Sequence, residues 1–131
     1  MTIQEFIALH QVKFSAEWIS RRSDGSEWMP GSSHWSCKFR CGRKSMTVEF
    51  SQGPAISGEP TCEDVLDCIA SDVGGIKSAR TFEEWASDLG FDADSRKAEQ
   101  TYKACELQGE KLDLLLGIEA AEQLCFETER L

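Results

Sequence analysis

The sequence has no long apolar run and few of the residues that usually carry out catalysis. Its mean hydropathy is −0.38, and no segment approaches the roughly 18 apolar residues that a membrane-spanning helix needs. It contains only two histidines and no phosphate-binding loop, dinucleotide-binding fingerprint or nucleophile elbow. No basic stretch followed by an apolar stretch opens the chain, so we expect no secretory leader. These absences predict a non-enzymatic protein with no cofactor and no membrane association.

Acidic residues are in excess, and most of them lie in the second half of the chain. The 131 residues include 23 acidic and 14 basic side chains, a net charge of −9. Residues 1–57 have a net charge of +2, from seven bases and five acids, whereas residues 58–131 have a net charge of −11. This charge disfavours direct binding to nucleic acid, which is itself a polyanion. It favours a partner with a basic surface, although acidic helices also serve solubility alone.

The first half of the sequence predicts a short helix and a three-stranded antiparallel sheet. Thr2 and Glu5 form a capping-box pattern that begins a helix over residues 3–10. Apolar and polar residues then alternate over residues 11–22 and again on both sides of Gly42, which predicts one strand and a β-hairpin. We expect the hairpin to bury Cys37, Phe39, Val48 and Phe50 on one face. Its polar face and turn then carry Lys38, Arg40, Arg43 and Lys44.

The second half predicts a cluster of about four helices. Thr61 and Thr81 are expected N-cap residues, and Asp94 or Ser95 caps a third, longer helix. Glycines at 74–75, 90 and 117 are expected to end the first three helices. Leu89 is assigned to an apolar, inward-facing stripe, and Gly109 is expected to mark a close packing contact or a bend. Ile118, Ala121, Leu124 and Cys125 predict a final short helix.

The order of these elements predicts the fold class. Three strands followed by segregated helices is an α+β arrangement, in which the helices cover the apolar face of the sheet. A sheet of three strands is marginally stable alone, so we predict one α+β domain over residues 1–131. Within it, residues 1–57 form the sheet subregion with its short helix, and residues 58–131 form the acidic helical subregion.

Six cysteines raise the question of a metal site. His34, Cys37 and Cys41 cluster possible zinc ligands, and Cys62 and Cys68 follow downstream. The spacing is not the CxxC of structural zinc sites, and residues six apart lie on different faces of a helix. We therefore predict reduced thiols and no metal, with a zinc-binding protein as an alternative.

The candidate partner-binding residues are acidic, with two apolar residues from a loop. The carboxylates lie within twelve residues and are Glu83, Glu84, Asp88, Asp92 and Asp94. Carboxylates in this pattern can imitate a run of phosphates and engage an arginine-rich groove. In a turn-rich segment, Trp28 and Met29 either provide an apolar anchor for a partner or fold back onto the sheet.

Three segments between Thr61 and Leu116 carry a resemblance to a known group of proteins. They are Asp64-Val65-Leu66-Asp67-Cys68-Ile69-Ala70-Ser71-Asp72, Phe82-Glu83-Glu84-Trp85-Ala86, and Leu89-Gly90-Phe91-Asp92-Ala93-Asp94-Ser95-Arg96-Lys97-Ala98. This pattern, over roughly half the chain, resembles small uncharacterised proteins of bacteriophages and prophages. The resemblance implies no known activity.

Compact acidic phage proteins of this size include anti-CRISPR and other anti-defence inhibitors. By context, the resemblance implies an inhibitor of a host defence complex, a protein or ribonucleoprotein, in the cytoplasm of a bacterial host. The alternative is an accessory phage interaction module with no inhibitory role. The resemblance assigns no site residues.

Overall fold

The computed structural model describes residues 1–19, 34–50 and 58–129, and within these ranges it contains three strands and five helices. The elements in chain order are α1 (Ile3–Leu9), β1 (Lys13–Ile19), β2 (His34–Cys41), β3 (Lys44–Phe50), α2 (Cys62–Ser78), α3 (Phe82–Asp88), α4 (Arg96–Leu116) and α5 (Ile118–Phe126). The predicted α+β class, with the sheet in the first half and the helices mostly in the second, is confirmed.

The sheet is antiparallel, with β2 between β1 and β3. Phe39 on β2 pairs with Phe14 on one side and with Met46 on the other. Successive residues of a strand point to opposite faces, so this register separates an apolar face from a polar one. As expected, Cys37, Phe39 and Val48 are buried, whereas Phe50 is only half-buried.

Four of the helices, α1, α2, α4 and α5, share one hydrophobic core with the sheet. α4 packs near β3 and β2, and α2 packs near β1 and against both α4 and α5. The largest fully buried side chains of this core come from four helices and the central strand, and are Ile3, Phe6, Phe39, Leu66, Leu112 and Leu124. Within the described ranges, no helix is long and apolar enough to cross a membrane.

Two glycines that were expected to end α2 lie inside it instead. The helix continues through Gly74 and Gly75 to Ser78, at a cost of about 1 kcal/mol for each glycine relative to alanine. A Cβ on Gly74 would make an ordinary van der Waals contact, at 3.8 Å, with the Cβ of Cys125 on α5, and one on Gly75 would lie 3.9 Å from Nε1 of Trp85 on α3. α5 and α3 therefore lie beside α2 at these two glycines.

The final short helix predicted from Ile118, Ala121, Leu124 and Cys125 is confirmed as α5. Its first residue, Ile118, directly follows Gly117, whose φ of +89° ends α4 and redirects the chain. Ile118 is 64% exposed, whereas the other three residues are buried.

Candidate functional site

The five candidate carboxylates lie on α3 and on the connection between α3 and α4, and all five are exposed. We call them the acidic surface: Glu83, Glu84, Asp88, Asp92 and Asp94. Glu84 and Asp88 are one turn apart and share a face of α3. Arg80, Arg96 and Lys97 flank this surface in sequence. Among the described residues, none of these three cations lies within 4 Å of a carboxylate of the acidic surface.

Two of the five carboxylates also stabilise the local backbone. Glu84 accepts a hydrogen bond from the backbone N–H of Arg80 at 3.4 Å, and its own N–H donates to the Thr81 side chain at 3.1 Å. The Asp92 carboxylate accepts from the N–H of Asp94 at 3.0 Å. In the described part of the chain, no side-chain hydrogen bond involves the carboxylates of Glu83, Asp88 or Asp94, so these three are the ones available to a partner.

An aromatic cluster beneath the acidic surface holds it in place. Trp85 is 2% exposed and contacts the rings of Phe82, Phe91 and Tyr102, with centroids 6.0, 5.6 and 5.1 Å away. Phe82 also meets Tyr102 edge to face at 5.0 Å. Aromatic pairs in such geometries are stabilising beyond their buried area. The short helix α3 is therefore anchored to α4 through this cluster.

Leu89 is the residue of this region that the sequence pattern assigned wrongly. The pattern placed it inward, but it is 58% exposed. α3 ends at Asp88, Gly90 adopts a φ of +76°, and the N–H of Phe91 donates to the carbonyl of Ala86 at 2.8 Å. This turn brings Phe91 onto Trp85 and leaves Leu89 exposed to solvent between the acidic residues. The other expected apolar anchor, Trp28 with Met29, lies outside the described residues.

The polar face of the sheet carries a group of cations next to the hairpin turn that form no ion pair with any described residue. Lys13 lies directly opposite Arg40, and Lys38 lies opposite Ser15. These four residues and Phe14 line a depression of about 240 Å³. Arg40 is exposed whereas Phe39 is fully buried, so the bases and the aromatic residues of β2 face opposite ways, as predicted.

A groove between the sheet and α4 was not anticipated from the sequence. It has a volume of about 570 Å³ and is lined partly by His34, Glu49, Gln108 and Lys111. His34 is buried, and its Nε2 lies 3.5 Å from Oε1 of Glu49. The alternation of β2 places His34 on the polar face, but only the register with β3 brings Glu49 to it.

The proposed zinc ligands are not brought together. All six cysteines lie in the described ranges, and none forms a disulfide. Cys37 is buried on the apolar face of β2, opposite to the face that carries His34, and Cys68 is exposed on α2. Among the described residues, no group of three or more histidine, cysteine or acidic side chains has the geometry to hold a metal ion.

Burial makes several of the thiols poor nucleophiles. It raises the pKa of Cys62 to about 12, with further contributions from Glu63 and Cys41. It also raises the pKa of Cys105 to about 11, with a contribution from Asp72. The thiolate is the reactive and metal-binding form of cysteine. At neutral pH, Cys62 and Cys105 therefore stay almost entirely in the unreactive thiol form.

Comparisons with protein-family models, with curated proteins and with solved structures found no match for this chain.

Proposed function

We propose that this protein is a non-enzymatic binding protein that blocks a nucleic-acid-handling complex by occupying a basic surface of that complex. The supporting observation is the acidic surface: five exposed carboxylates within twelve residues, held by an aromatic cluster around the buried Trp85. A preorganised set of charges loses little conformational freedom on binding. Charge complementarity of this kind steers encounter and excludes partners of the same sign.

In this proposal, Leu89 supplies an apolar contact that slows dissociation of a complex formed mainly by charge attraction. Exposed charges at the rim of an interface mainly change the association rate, whereas a desolvated apolar side chain at its centre slows dissociation. Leu89 stands between Asp88 and Asp92 in sequence and is 58% exposed. In this proposal it enters a pocket of the partner while the carboxylates around it pair with arginine or lysine.

The resemblance to small phage proteins supports a bacterial host defence complex as the partner. The blocked surface is the one on which that complex holds DNA or RNA, because a groove that binds phosphates also accepts a set of carboxylates. The site of action is then the cytoplasm of the host cell. The competing proposal is an accessory phage protein that binds a partner without inhibiting it.

Inhibition can be tested by infection. Bacteria that carry an active CRISPR system or another nucleic-acid-targeting defence are infected with a phage that the defence recognises, with and without this protein. The proposal expects more plaques when the protein is expressed. The same test is run on a panel of defence systems. If the protein binds one of the complexes but restores plaques with none of them, the accessory role is supported instead.

The acidic surface is tested with charge-reversed variants of the same protein. The double variant Asp88→Lys, Asp94→Lys keeps Glu84 and Asp92, the two residues whose carboxylates accept backbone hydrogen bonds. It should weaken binding to the captured complex about tenfold or more. The matched control is Glu119→Lys, Glu122→Lys, an equal change of charge at exposed positions of α5. Equal affinity for the test and control variants would exclude the acidic surface as the interface.

The apolar contact is tested separately through dissociation. Leu89→Ala should mainly raise the dissociation rate of the captured complex, whereas the Asp88→Lys, Asp94→Lys variant should mainly lower the association rate and its dependence on salt. Leu114→Ala is the control, because Leu114 is 73% exposed and lies on α4 away from the acidic surface in sequence. Identical dissociation rates for the two alanine variants would remove Leu89 from the proposed interface.

A further inference from the structure

The polar face of the sheet next to the hairpin turn is composed almost entirely of hydrogen-bond donors and hydroxyls. Two adjacent cross-strand rows, which we call the cationic rows, run across all three strands: Lys13–Arg40–Ser45 and Ser15–Lys38–Thr47. Residues two apart in a strand are about 7 Å apart, so the three cations are near neighbours. No carboxylate stands in either row.

Within the ranges that the structure describes, no acidic side chain forms an ion pair with the cations of these rows. The nearest acids on the same face are Glu17 and Glu49, one row further along, on either side of Ser36. In the part of the chain that the structure describes, neither lies within 4 Å of Lys13, Lys38 or Arg40. Lys38 is nevertheless half-buried on the central strand.

Placing Lys13 directly opposite Arg40 costs stability, because like charges that face each other across strands repel. The arrangement stands out in a chain whose net charge is −9. A repulsive pair of this kind is relieved when an anion binds between the two cations. The rows therefore have the composition of an oxyanion site: three positive charges and three hydroxyls, with no competing carboxylate.

We propose that the cationic rows bind the phosphoryl group of a small phosphate-bearing molecule. The depression over the β1 and β2 part of these rows, about 240 Å³ and lined by Lys13, Phe14, Ser15, Lys38 and Arg40, is smaller than the roughly 300–1,000 Å³ of sites for drug-sized ligands. That size suits one or two phosphoryl groups. Arg40 would donate hydrogen bonds to two phosphoryl oxygens in a bidentate arrangement. Lys13 and Lys38 would attract the phosphoryl group as point charges.

A long nucleic acid is a poorer ligand for this face. No aromatic side chain stands in the cationic rows, and the ring of Phe14, which also lines the depression, packs against Phe39 on the apolar face. Stacking on aromatic residues is the usual platform for single strands. The negative charge of residues 58–131 also repels an extended polyanion, while it affects a compact ligand less. This site is independent of the acidic surface and of the function proposed for it.

Pyrophosphate is the probe. Its addition should raise the melting temperature of the protein above that in sodium chloride of equal ionic strength, because a ligand that binds only the folded state stabilises it. In ¹⁵N-resolved NMR spectra the largest shifts should fall on Lys13, Ser15, Lys38 and Arg40. The absence of any stabilisation beyond the chloride control would overturn the proposal.

A pair of matched variants separates a ligand site from an ordinary charged surface. Lys13→Gln with Arg40→Gln should abolish the stabilisation by pyrophosphate. Without ligand, this variant should melt at the same or a higher temperature than the parent, since the repulsion is gone. The control, Arg96→Gln with Lys97→Gln, removes two exposed charges from the start of α4 and should respond to pyrophosphate like the parent. Equal responses from both variants would overturn the site.

A series of ligands of increasing length distinguishes a small phosphate-bearing molecule from the backbone of a nucleic acid. Pyrophosphate is compared with single-stranded oligonucleotides of increasing length at equal total phosphate concentration. Tighter binding by pyrophosphate supports the proposed compact site. Affinity that instead rises steadily with oligonucleotide length overturns it in favour of a nucleic-acid backbone contact. The single variant Arg40→Gln provides the same comparison if the double variant does not fold.

Discussion

The ring of Phe91 stacks on that of Trp85, with the centroids 5.6 Å apart and the planes inclined by 16°. Phe91 lies beyond the end of α3 and Trp85 lies in its middle, so the contact folds the connection back over the helix. This contact fixes the position of the acidic surface and decides which residue of the connection remains exposed.

The first prediction compares two apolar residues of that connection. Phe91→Ala should lower the free energy of unfolding by about 2 kcal/mol, below the roughly 3–5 kcal/mol for a fully buried phenylalanine, because Phe91 is only half-buried. Leu89→Ala should change it by less than about 0.5 kcal/mol, as exposed positions do. Urea denaturation measures both. A larger loss for Leu89→Ala than for Phe91→Ala would mean that the two positions are exchanged.

The second prediction concerns a close approach of α2 and α4. A Cβ on Gly109 would lie 3.4 Å from Cγ1 of Val73, which is fully buried. Gly109→Val should therefore destabilise the protein by about 2 kcal/mol through overpacking. Gly109→Ala should be nearly neutral, since a gain in helix propensity of about 1 kcal/mol offsets the tighter contact. Adding Val73→Ala to Gly109→Val should restore part of the stability, and a strictly additive double variant would argue against the contact.

The third prediction tests the register of the sheet. Phe39 is fully buried and packs against Phe14 with ring centroids 5.1 Å apart. Phe39→Ala should lower the free energy of unfolding by about 3–5 kcal/mol. Ser45→Ala, at an exposed position of the neighbouring strand, should change it by less than about 0.5 kcal/mol. Thermal or chemical denaturation of the two variants gives the comparison, and similar values for both would show that the faces are reversed.

The fourth prediction orders the thiols by reactivity. Cys68 is exposed, and burial and the nearby Asp67 raise its pKa. Cys62 and Cys105 are half-buried, and their pKa values are raised to about 12 and about 11. Since only the thiolate is alkylated, iodoacetamide at mildly alkaline pH should label Cys68 first. Mass spectrometry of timed samples gives the order.

The same experiment counts the thiols. Without reductant, the denatured protein should expose all six cysteines to the reagent, because none forms a disulfide. Labelling of Cys62 as fast as Cys68 would contradict the order. Fewer than six labelled cysteines would contradict the reduced state.

Local sequence signals determined most of the secondary structure. The threonines at 2, 61 and 81 and the serine at 95 cap their helices by accepting a hydrogen bond from the backbone N–H three positions further on, and such caps depend on neighbours in sequence. Strict alternation around Gly42 fixed the hairpin and its buried face, because the side-chain period of a strand is two. The acidic surface was likewise visible as a run of charges, since its residues are contiguous in the chain.

Only the tertiary structure decided the features that depend on residues distant in sequence. Gly74 and Gly75 look like a helix end in sequence, but the approach of α5 and α3 makes them helix interior. Leu89 fits an apolar stripe, yet Phe91 displaces it from the aromatic cluster once the chain turns at Gly90. Lys13 and Arg40 lie 27 positions apart, and only the pairing of β1 with β2 places them face to face. A local pattern cannot show which of two competing contacts is made, because that choice depends on the elements packed against it.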